Sequence, residues 1–211
     1  NSSFIGNIFD NTSYGLRIKS GTSTIVKNNI FSNLANRGYW IDGAKPTESD
    51  YNIFYNVRGA YLDGSNYTLE EWQAVDGQTL DLNSINGDPN YMDVDNYNFE
   101  PTDSSASIDA GIALADELKM GLKVGSSWPN DVETVNQIYN GETWDIGAYV
   151  FPNPIYYVDP SLAINGDGTK ANPYNSWANV DWAAGGTYLQ KRGTVSNDTI
   201  GIMHDNVTIG S

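Results

Sequence analysis

The sequence predicts an all-β fold, a parallel β-helix solenoid, and two repeating patterns lead to this prediction. The first is Asn-Ile-Phe-x-Asn, which occurs at residues 7–11, 29–33 and 52–56. Successive copies begin 22 and 23 residues apart (29 − 7 and 52 − 29). A period of this length is typical of solenoids, in which each coil buries its apolar face only against its neighbours. No amphipathic run of helical spacing accompanies the pattern, so helical repeats fit poorly.

Stacked coils would place equivalent residues one strand spacing apart, roughly 4.8 Å. We therefore expect Phe9, Phe31 and Phe54 to form an aromatic stack inside the solenoid. The Asn residues of the pattern should form ladders at the turns. Asn suits these positions because it tolerates left-handed conformations and its amide can bond the equivalent amide one coil away.

The second pattern is a set of alternating segments at residues 15–19, 38–43 and 59–64. Alternation with period two predicts half-buried strands. We expect two inward rows, namely Leu16, Tyr39 and Ala60, and Ile18, Ile41 and Leu62. Two outward ladders should accompany them, namely Arg17, Trp40 and Tyr61, and Lys19, Asp42 and Asp63.

The composition limits the classes of partner. The 211 residues carry a formal charge of −15 and have a pI near 4.1, so we expect neither nucleic-acid binding nor attraction to anionic membranes. No apolar run has the length needed to cross a bilayer, so membrane insertion is not expected. The acidic balance is compatible with bound Ca²⁺, a saline habitat or simple solubility. The absence of cysteine excludes disulfides and thiolate chemistry.

The remaining elements divide the chain into two domains. Thr68 and Glu71 form a capping box that predicts a short helix, with Leu69 and Trp72 packing it onto the coils. Irregular coils should follow, with a short helix around residues 113–119 and a final strand at 145–151. We expect a first domain at 1–151, a linker at 152–154 and a second domain at 155–211. The second domain should contain strands near 155–158, 187–190 and 207–209.

Several segments resemble a known family. Residues 69–73, 88–91, 107–111 and 145–149 (Asp-Ile-Gly-Ala-Tyr in the last) resemble the terminal part of bacterial right-handed parallel β-helix proteins of the pectate-lyase-like superfamily. Residues 156–160, 166–169, 172–174 and 185–194 resemble the opening of another such domain. The resemblance implies tandem β-helices, with this chain spanning the end of one and the start of the next. Because residue 1 falls inside a coil, we expect the chain to be a piece of a longer protein.

The family that these segments resemble includes polysaccharide lyases. These enzymes remove a proton next to a uronate carboxylate, and they need a base and a cation in a groove on the outer face of a sheet. Arg17 and Lys19 are the catalytic candidates on the predicted outward ladders, and Trp40 and Tyr61 are candidates for stacking against sugars. The alternative is that all four are ordinary exposed strand residues with cross-strand pairing. No catalytic motif of the family maps residue by residue onto this chain.

Calcium is the one cofactor that the sequence suggests. The candidate ligands are Asp42, Asp63, Asp93, Asp95 and Asp167, because Ca²⁺ prefers carboxylate oxygens. Neither residues 93–96 nor residues 165–168 complete an EF-hand loop, so an Asx turn is the alternative at both places. The single histidine, His204, is expected at an incidental surface position.

Three functions follow from these expectations. The first, which we prefer, is a non-catalytic extracellular module of a large surface or filament-forming protein, structural or adhesive, and glycan-binding. The second is the non-catalytic end of a polysaccharide-degrading enzyme, and the third is an active lyase acting on acidic glycans. The profile rich in Gly, Asn, Ser and Tyr and poor in Lys is common in secreted bacterial β-proteins. We expect the partners to be copies of the chain or adjacent β-helix domains stacked end to end, and polysaccharide.

Overall fold

The structure of the protein, a computed structural model, describes residues 2–19, 23–75, 77, 79–126, 131–141, 143–152, 155–182, 186–201 and 207–210. The chain forms two compact units. The first comprises Asn1–Gln137 and Thr143–Phe151, and the second comprises Ile138–Glu142 and Pro152–Ser211. Of the predicted linker, Asn153 and Pro154 lie outside the described residues, as does His204. None of the helices in the described ranges is long and apolar enough to cross a membrane.

Three regular coils build the first unit, and each contains three short strands. The strands are β1 Ser2–Ile5, β2 Ile8–Asp10, β3 Tyr14–Lys19, β4 Thr24–Lys27, β5 Ile30–Ser32, β6 Arg37–Asp42, β7 Glu48–Asp50, β8 Ile53–Tyr55 and β9 Arg58–Leu62. Equivalent strands pair in parallel from coil to coil, in the orders β1-β4-β7, β2-β5-β8 and β3-β6-β9. The prediction of an all-β parallel solenoid is confirmed.

The aromatic stack lies inside the coils, as predicted. Phe9, Phe31 and Phe54 are register partners in β2, β5 and β8. The ring centroids of Phe9 and Phe31 are 5.0 Å apart with nearly parallel planes, and those of Phe31 and Phe54 are 5.1 Å apart. Tyr39 packs edge-on against both Phe31 and Phe54. One strand spacing therefore sets the ring separation, and the column forms the centre of the core.

An asparagine ladder runs beside this column. The side-chain amide of Asn7 donates to Oδ1 of Asn29 at 3.0 Å, and that of Asn29 donates to Oδ1 of Asn52, also at 3.0 Å. Asn29 and Asn52 are fully buried. Their amides also satisfy backbone carbonyls, including those of Phe4 and Val26. A buried polar side chain is tolerated here because its hydrogen bonds are made from coil to coil.

The ladder at the second turn of the pattern is incomplete. Asn11, Asn33 and Asn56 all adopt the left-handed conformation, with φ between 50° and 52°. Asn56 donates to Oδ1 of Asn33 at 3.1 Å, as predicted. The amide of Asn33 donates instead to Oδ1 of Asp10 at 2.9 Å. A carboxylate one residue before Asn11 is the stronger acceptor, so the asparagine ladder stops after two coils.

The alternating strands have the predicted register for most of their length. Leu16 pairs with Tyr39 and Ile18 with Ile41, and all four are buried. The predicted place of Asp63 in the outward ladder with Lys19 and Asp42 is wrong. Asp63 and Gly64 form the two-residue turn of a hairpin, both with positive φ (51° and 84°), and β10 Ser65–Tyr67 returns antiparallel to β9. Asp-Gly favours this turn because both residues accept positive φ. Asp63 therefore leaves the ladder of Lys19 and Asp42.

A short helix, α1 Leu69–Gln73, follows the hairpin and has the predicted capping box between Thr68 and Glu71. Leu69 and Trp72 are buried against the coils. The Trp72 indole donates to Oδ2 of Asp81 at 3.1 Å. The helix and β10 thus cover one end of the core formed by the three coils.

The rest of the first unit is irregular. It contains β11 Tyr91–Asp93, β12 Asn98–Pro101, β13 Met120–Lys123, β14 Thr134–Asn136 and β15 Tyr149–Val150. The predicted helix at 113–119 is only a 3₁₀ turn at Asp116–Leu118. The predicted strand at 145–151 is wrong for its first half, since only Tyr149–Val150 pairs in a sheet. The Asp145 side chain accepts the backbone N–H groups of Asp109 and Phe151, and these bonds bend the chain.

The second unit contains β16 Ile155–Val158, β17 Thr187–Gln190 and β18 Thr208–Gly210, paired in parallel in that order. Its predicted strands are confirmed within one residue. Tyr156 and Tyr188 are register partners and stack at 4.8 Å. Their core also includes Val158, Tyr174 and Trp177, all buried. The arrangement repeats, in a separate unit, the aromatic stacking between adjacent strands that is found in the coils.

Candidate functional site

The outward surface of the third sheet carries a cluster of arginine and aromatic side chains. Residues at the same register position lie side by side in β3, β6 and β9. Two such rows form what we call the arginine–aromatic face, namely Tyr14, Arg37 and Arg58, and Arg17, Trp40 and Tyr61. The face gathers three of the four arginines of the chain.

Glycines beside the first row keep its large side chains outside. An added Cβ on Gly15 would lie 2.4 Å from a ring carbon of Phe31, and one on Gly38 would lie 2.4 Å from a ring carbon of Phe54. Only glycine fits where the strands approach the phenylalanine column so closely. Gly38 and the following Tyr39 both face the core, so the alternation shifts by one residue here. Arg37 lies on the outer side, as its distances to the rings of Trp40 and Tyr61 show.

Trp40 lies at the centre of the face. Its ring centroid is 5.0 Å from that of Tyr14 and 6.1 Å from that of Tyr61. The guanidinium carbon of Arg17 lies 4.7 Å from the centroid of Trp40. The planes of Tyr14 and Trp40 are tilted by 45°, and Tyr61 is edge-on to Trp40.

Arg37 is inserted among these rings. Its guanidinium carbon lies 4.3 Å from the ring centroid of Tyr61, 5.6 Å from that of Tyr14 and 5.9 Å from that of Trp40. Within the described part of the chain, its Nε is the single buried side-chain nitrogen or oxygen atom without a hydrogen-bond partner. Cation–π attraction to three rings takes the place of that bond and holds a positive charge at the surface.

One acidic group lies at the border of the face. Asp42 Oδ2 accepts a hydrogen bond from Arg17 Nη2 at 2.7 Å, and both side chains are half exposed. Lys19 is the register partner of Asp42 and is exposed. An exposed pair of this kind is worth about 0–1 kcal/mol and opens readily. The catalytic candidate Arg17 is thus paired with the calcium candidate Asp42.

The other calcium candidates lie in turns outside this face. Asp93 accepts the backbone N–H of Asn96 at 3.3 Å and its amide at 2.7 Å, which closes a 3₁₀ turn that includes the exposed Asp95. Asp167 accepts the backbone N–H and the hydroxyl of Thr169, and these bonds lower the pKa of the Asp167 carboxyl. Across the described ranges, no three or more His, Asp or Glu side chains converge as metal ligands would.

Asp81 is a carboxylate that the sequence analysis did not single out. It is fully buried and joins the third coil to α1 through hydrogen bonds from Asn52, Ser49, Ser84 and Trp72. Burial raises the pKa of Asp81, while these donors act in the opposite direction. The network is a structural attachment, because every donor belongs to the core and none of the Asp81 side chain reaches the surface.

Sequence reasoning placed Arg17, Trp40 and Tyr61 on one face but missed Tyr14, Arg37 and Arg58. The signal was available. Tyr14, Arg37 and Arg58 are separated by 23 and 21 residues (37 − 14 and 58 − 37), the same offsets that separate Arg17, Trp40 and Tyr61. Strict alternation from the inward Leu16 and Tyr39 would place Tyr14 and Arg37 inside, whereas the alternation shifts by one residue at Gly15 and Gly38, which also face the phenylalanine column.

Comparisons with protein families, with curated proteins and with solved structures give no match for this chain. The chemistry of the face is therefore the guide to its role. Aromatic rings pack against the apolar faces of sugar rings, and guanidinium groups recognise carboxylates and sulfates through paired hydrogen bonds. The face combines both groups within a few ångströms, an arrangement suited to an acidic glycan.

Proposed function

We propose that this chain is a non-catalytic structural or adhesive β-solenoid module of a bacterial surface protein, of the pectate-lyase-like kind that its motifs resemble, and that the arginine–aromatic face binds acidic glycans. One observation carries the proposal. In a chain with a net charge of −15, three of four arginines converge on a single outward-facing aromatic surface. The negative charge is spread along the chain, whereas these arginines are gathered on one face. A polyanion would therefore bind at that face rather than elsewhere on the coils.

Each group of side chains on the face would make a different contact with the glycan. Trp40 and Tyr61 supply ring surface for sugar units, and Arg58, which is exposed, supplies an unshielded guanidinium beside them. Arg37 is held rigidly among the rings, so little side-chain entropy is lost when an anion approaches. Arg17 can exchange its exposed pairing with Asp42 for a carboxylate of the glycan.

Isothermal titration with polygalacturonate, and with dextran as the neutral polymer, tests the proposal. We expect binding of polygalacturonate alone, weakened about tenfold or more by Trp40→Ala or Arg58→Gln and weakened by added salt. Tyr97→Ala and Lys123→Gln are matched controls, since they remove an exposed ring and an exposed cation elsewhere in the same unit. Equal affinities for all four variants, or no binding of several acidic glycans, would contradict the proposal.

An assay for unsaturated products separates a binding module from a lyase. Incubation of the intact protein with uronate polymers, with and without Ca²⁺, should give no unsaturated products. Formation of such products would overturn the non-catalytic assignment, and their loss in Arg17→Ala or Lys19→Ala with the fold intact would then assign the lyase chemistry to the outward ladders.

A second function is favoured by the edge of the first coil. Among the described residues, β1, β2 and β3 each have a strand neighbour on one side only. Phe9 is half-buried, whereas Phe31 in the middle of the column is fully covered. An open strand edge with an apolar centre favours pairing with a further coil. We propose that a β-solenoid coil of an adjacent domain or of a second copy stacks here, end to end.

Sedimentation of the chain and of Ser3→Pro tests the stacking. The backbone N–H of Ser2 bonds the carbonyl of Ser23, toward the second coil, so the N–H of Ser3 faces the open side by the alternation of the strand. Proline at this position removes an open-edge donor without touching the pairing of β1 with β4. We expect assembly for the parent and a folded monomer for the variant. A compact parent monomer at micromolar concentration, with or without Ca²⁺, would contradict end-to-end stacking.

A further inference from the structure

The second unit has a cavity of about 360 Å³ on the outer side of β16 and β17. Tyr157 and Leu189 are register partners that form its floor. They face away from the core because Tyr156 and Tyr188, the residues before them, stack inside. Pro173 adds a further apolar wall. The volume lies within the range of small-molecule sites, and the lining is largely apolar, as in most such sites.

The charges at the rim of the cavity are unequal. Lys191 and Asp159 form an ion pair with a distance of 2.8 Å, and Asp159 also accepts the backbone N–H and the hydroxyl of Ser161. Lys170 has no carboxylate within ion-pair distance among the residues that the structure describes. Its ammonium group lies 5.9 Å from the ring centroid of Tyr157. One positive charge therefore remains uncompensated at an apolar cavity, in a chain that is otherwise strongly acidic.

We propose that this cavity binds a small organic carboxylate with a flat apolar body. The carboxylate would meet the ammonium group of Lys170, and the body would lie against Tyr157 and Leu189. A phosphate would need several converging donors, whereas the rim offers one uncompensated cation. A cationic ligand is disfavoured because the carboxylate of Asp159 is already engaged by Lys191. This site is chemically different from the arginine–aromatic face, which presents three guanidinium groups rather than one ammonium group.

Four probes separate the charge of the ligand from its apolar body. Benzoate carries both, benzyl alcohol lacks the charge, acetate lacks the ring, and benzylamine reverses the charge. Titrated into the full chain and followed by calorimetry or by amide chemical shifts, benzoate should bind, and the other three should bind about tenfold more weakly or not at all. The affinity for benzoate should fall with ionic strength, because the charged contact is exposed.

Variants locate the site. Lys170→Gln should weaken benzoate about tenfold, and Tyr157→Ala should weaken benzoate and benzyl alcohol alike. Lys45→Gln is the matched control, since Lys45 is an exposed lysine of the first unit whose ammonium group likewise lies over an aromatic ring, that of Trp72. Lys170 is itself exposed, so its replacement should leave the circular dichroism spectrum unchanged. Arg58→Gln should not affect benzoate, so this proposal and the glycan proposal can fail independently.

The proposal is overturned by any of three results. Benzyl alcohol could bind as tightly as benzoate, which would mean that the cavity selects only an apolar body. Lys170→Gln could bind benzoate with the affinity of the parent, which would place the anion elsewhere. Benzoate could also fail to bind at millimolar concentration, which would mean that the cavity is not a carboxylate site.

Discussion

The same three coils carry two sets of aromatic rings, an inner row of phenylalanines and an outer row of Tyr14, Trp40 and Tyr61. The outer row takes its rings from both register rows of the arginine–aromatic face. Inside, the phenylalanine rings of Phe9, Phe31 and Phe54 are 5.0 and 5.1 Å apart and nearly parallel. Outside, Trp40 lies 5.0 Å from Tyr14 and 6.1 Å from Tyr61, with planes tilted by 45° and 83°. The coil spacing brings rings together on both sides. Close packing in the core keeps the ring planes nearly parallel, whereas on the surface an arginine side chain can insert among tilted rings.

The largest expected effect comes from breaking the inner row. Phe31→Ala removes the central ring, which is fully buried and contacts Phe9, Phe54 and Tyr39. The cavity left behind should lower the free energy of unfolding by about 3–5 kcal/mol. Chemical denaturation measures this loss. A decrease below about 1 kcal/mol would mean that the column does not hold the coils together.

A smaller effect concerns a buried carboxylate that closes the first unit. Burial raises the pKa of Asp145 from its ordinary value of 3.8 to about 6. The protonated form is thus favoured in the folded state, so its stabilising contribution is complete below pH 3.8 and is lost as the pH rises through 6. The difference corresponds to roughly 2–3 kcal/mol.

The test is the stability of Asp145→Asn relative to the parent at pH 4 and pH 7. The variant cannot ionise, so its stability relative to the parent should rise between these values. Asp167→Asn is the control. Hydrogen bonds lower the pKa of Asp167, so the contribution of its carboxylate is present above pH 3.8 and is lost only on further acidification, and this variant should change little relative to the parent between pH 4 and pH 7. Identical pH profiles for the two variants would mean that the pKa of Asp145 is not raised in the folded state.

The outer row should behave differently from the inner one. Trp40→Ala removes ring contacts with Tyr14, Tyr61 and Arg17, and the free energy of unfolding should fall by about 1–1.5 kcal/mol. Binding of polygalacturonate should fall far more than stability. Denaturation and titration on the same preparation give both numbers. If stability fell as much as for Phe31→Ala, the outer row would be part of the core.

The smallest effect is expected for Lys27→Ala. The sequence predicts a surface lysine, and the structure refines this, because the Lys27 side chain is only 21% exposed and pairs with Glu48 at 2.6 Å. The neighbouring carboxylate is itself half exposed, so we expect a loss of about 0–1 kcal/mol by denaturation. A larger loss would show that coil-to-coil ion pairs contribute as much as the interior ladders.

The solenoid was predictable because its contacts join residues one period apart. The same residue type recurs at the same offset, as in Phe9 and Phe31 or Asn7 and Asn29. A repeat in the chain therefore becomes a stack in space. The row of Arg37 was missed because the alternation shifts by one residue at Gly38, which faces the core together with the following Tyr39. The hairpin at Asp63 also had a local signal in Asp-Gly, which the expectation of an uninterrupted ladder concealed.

What the sequence by itself determined is therefore the repeating part: the coils, their inward residues, the polar ladder and most of the outer face. The tertiary structure alone decided the contacts that occur once. Asp81 meets Tyr39 across 42 residues, and Asp109 meets Asp145 across 36, without any repeated offset to indicate either pair. The cavity beside Lys170 likewise combines β16, β17 and the loop between them. Such contacts depend on how irregular segments fold back onto the strands of their own unit, and a single copy of each contact leaves no periodic trace in the chain.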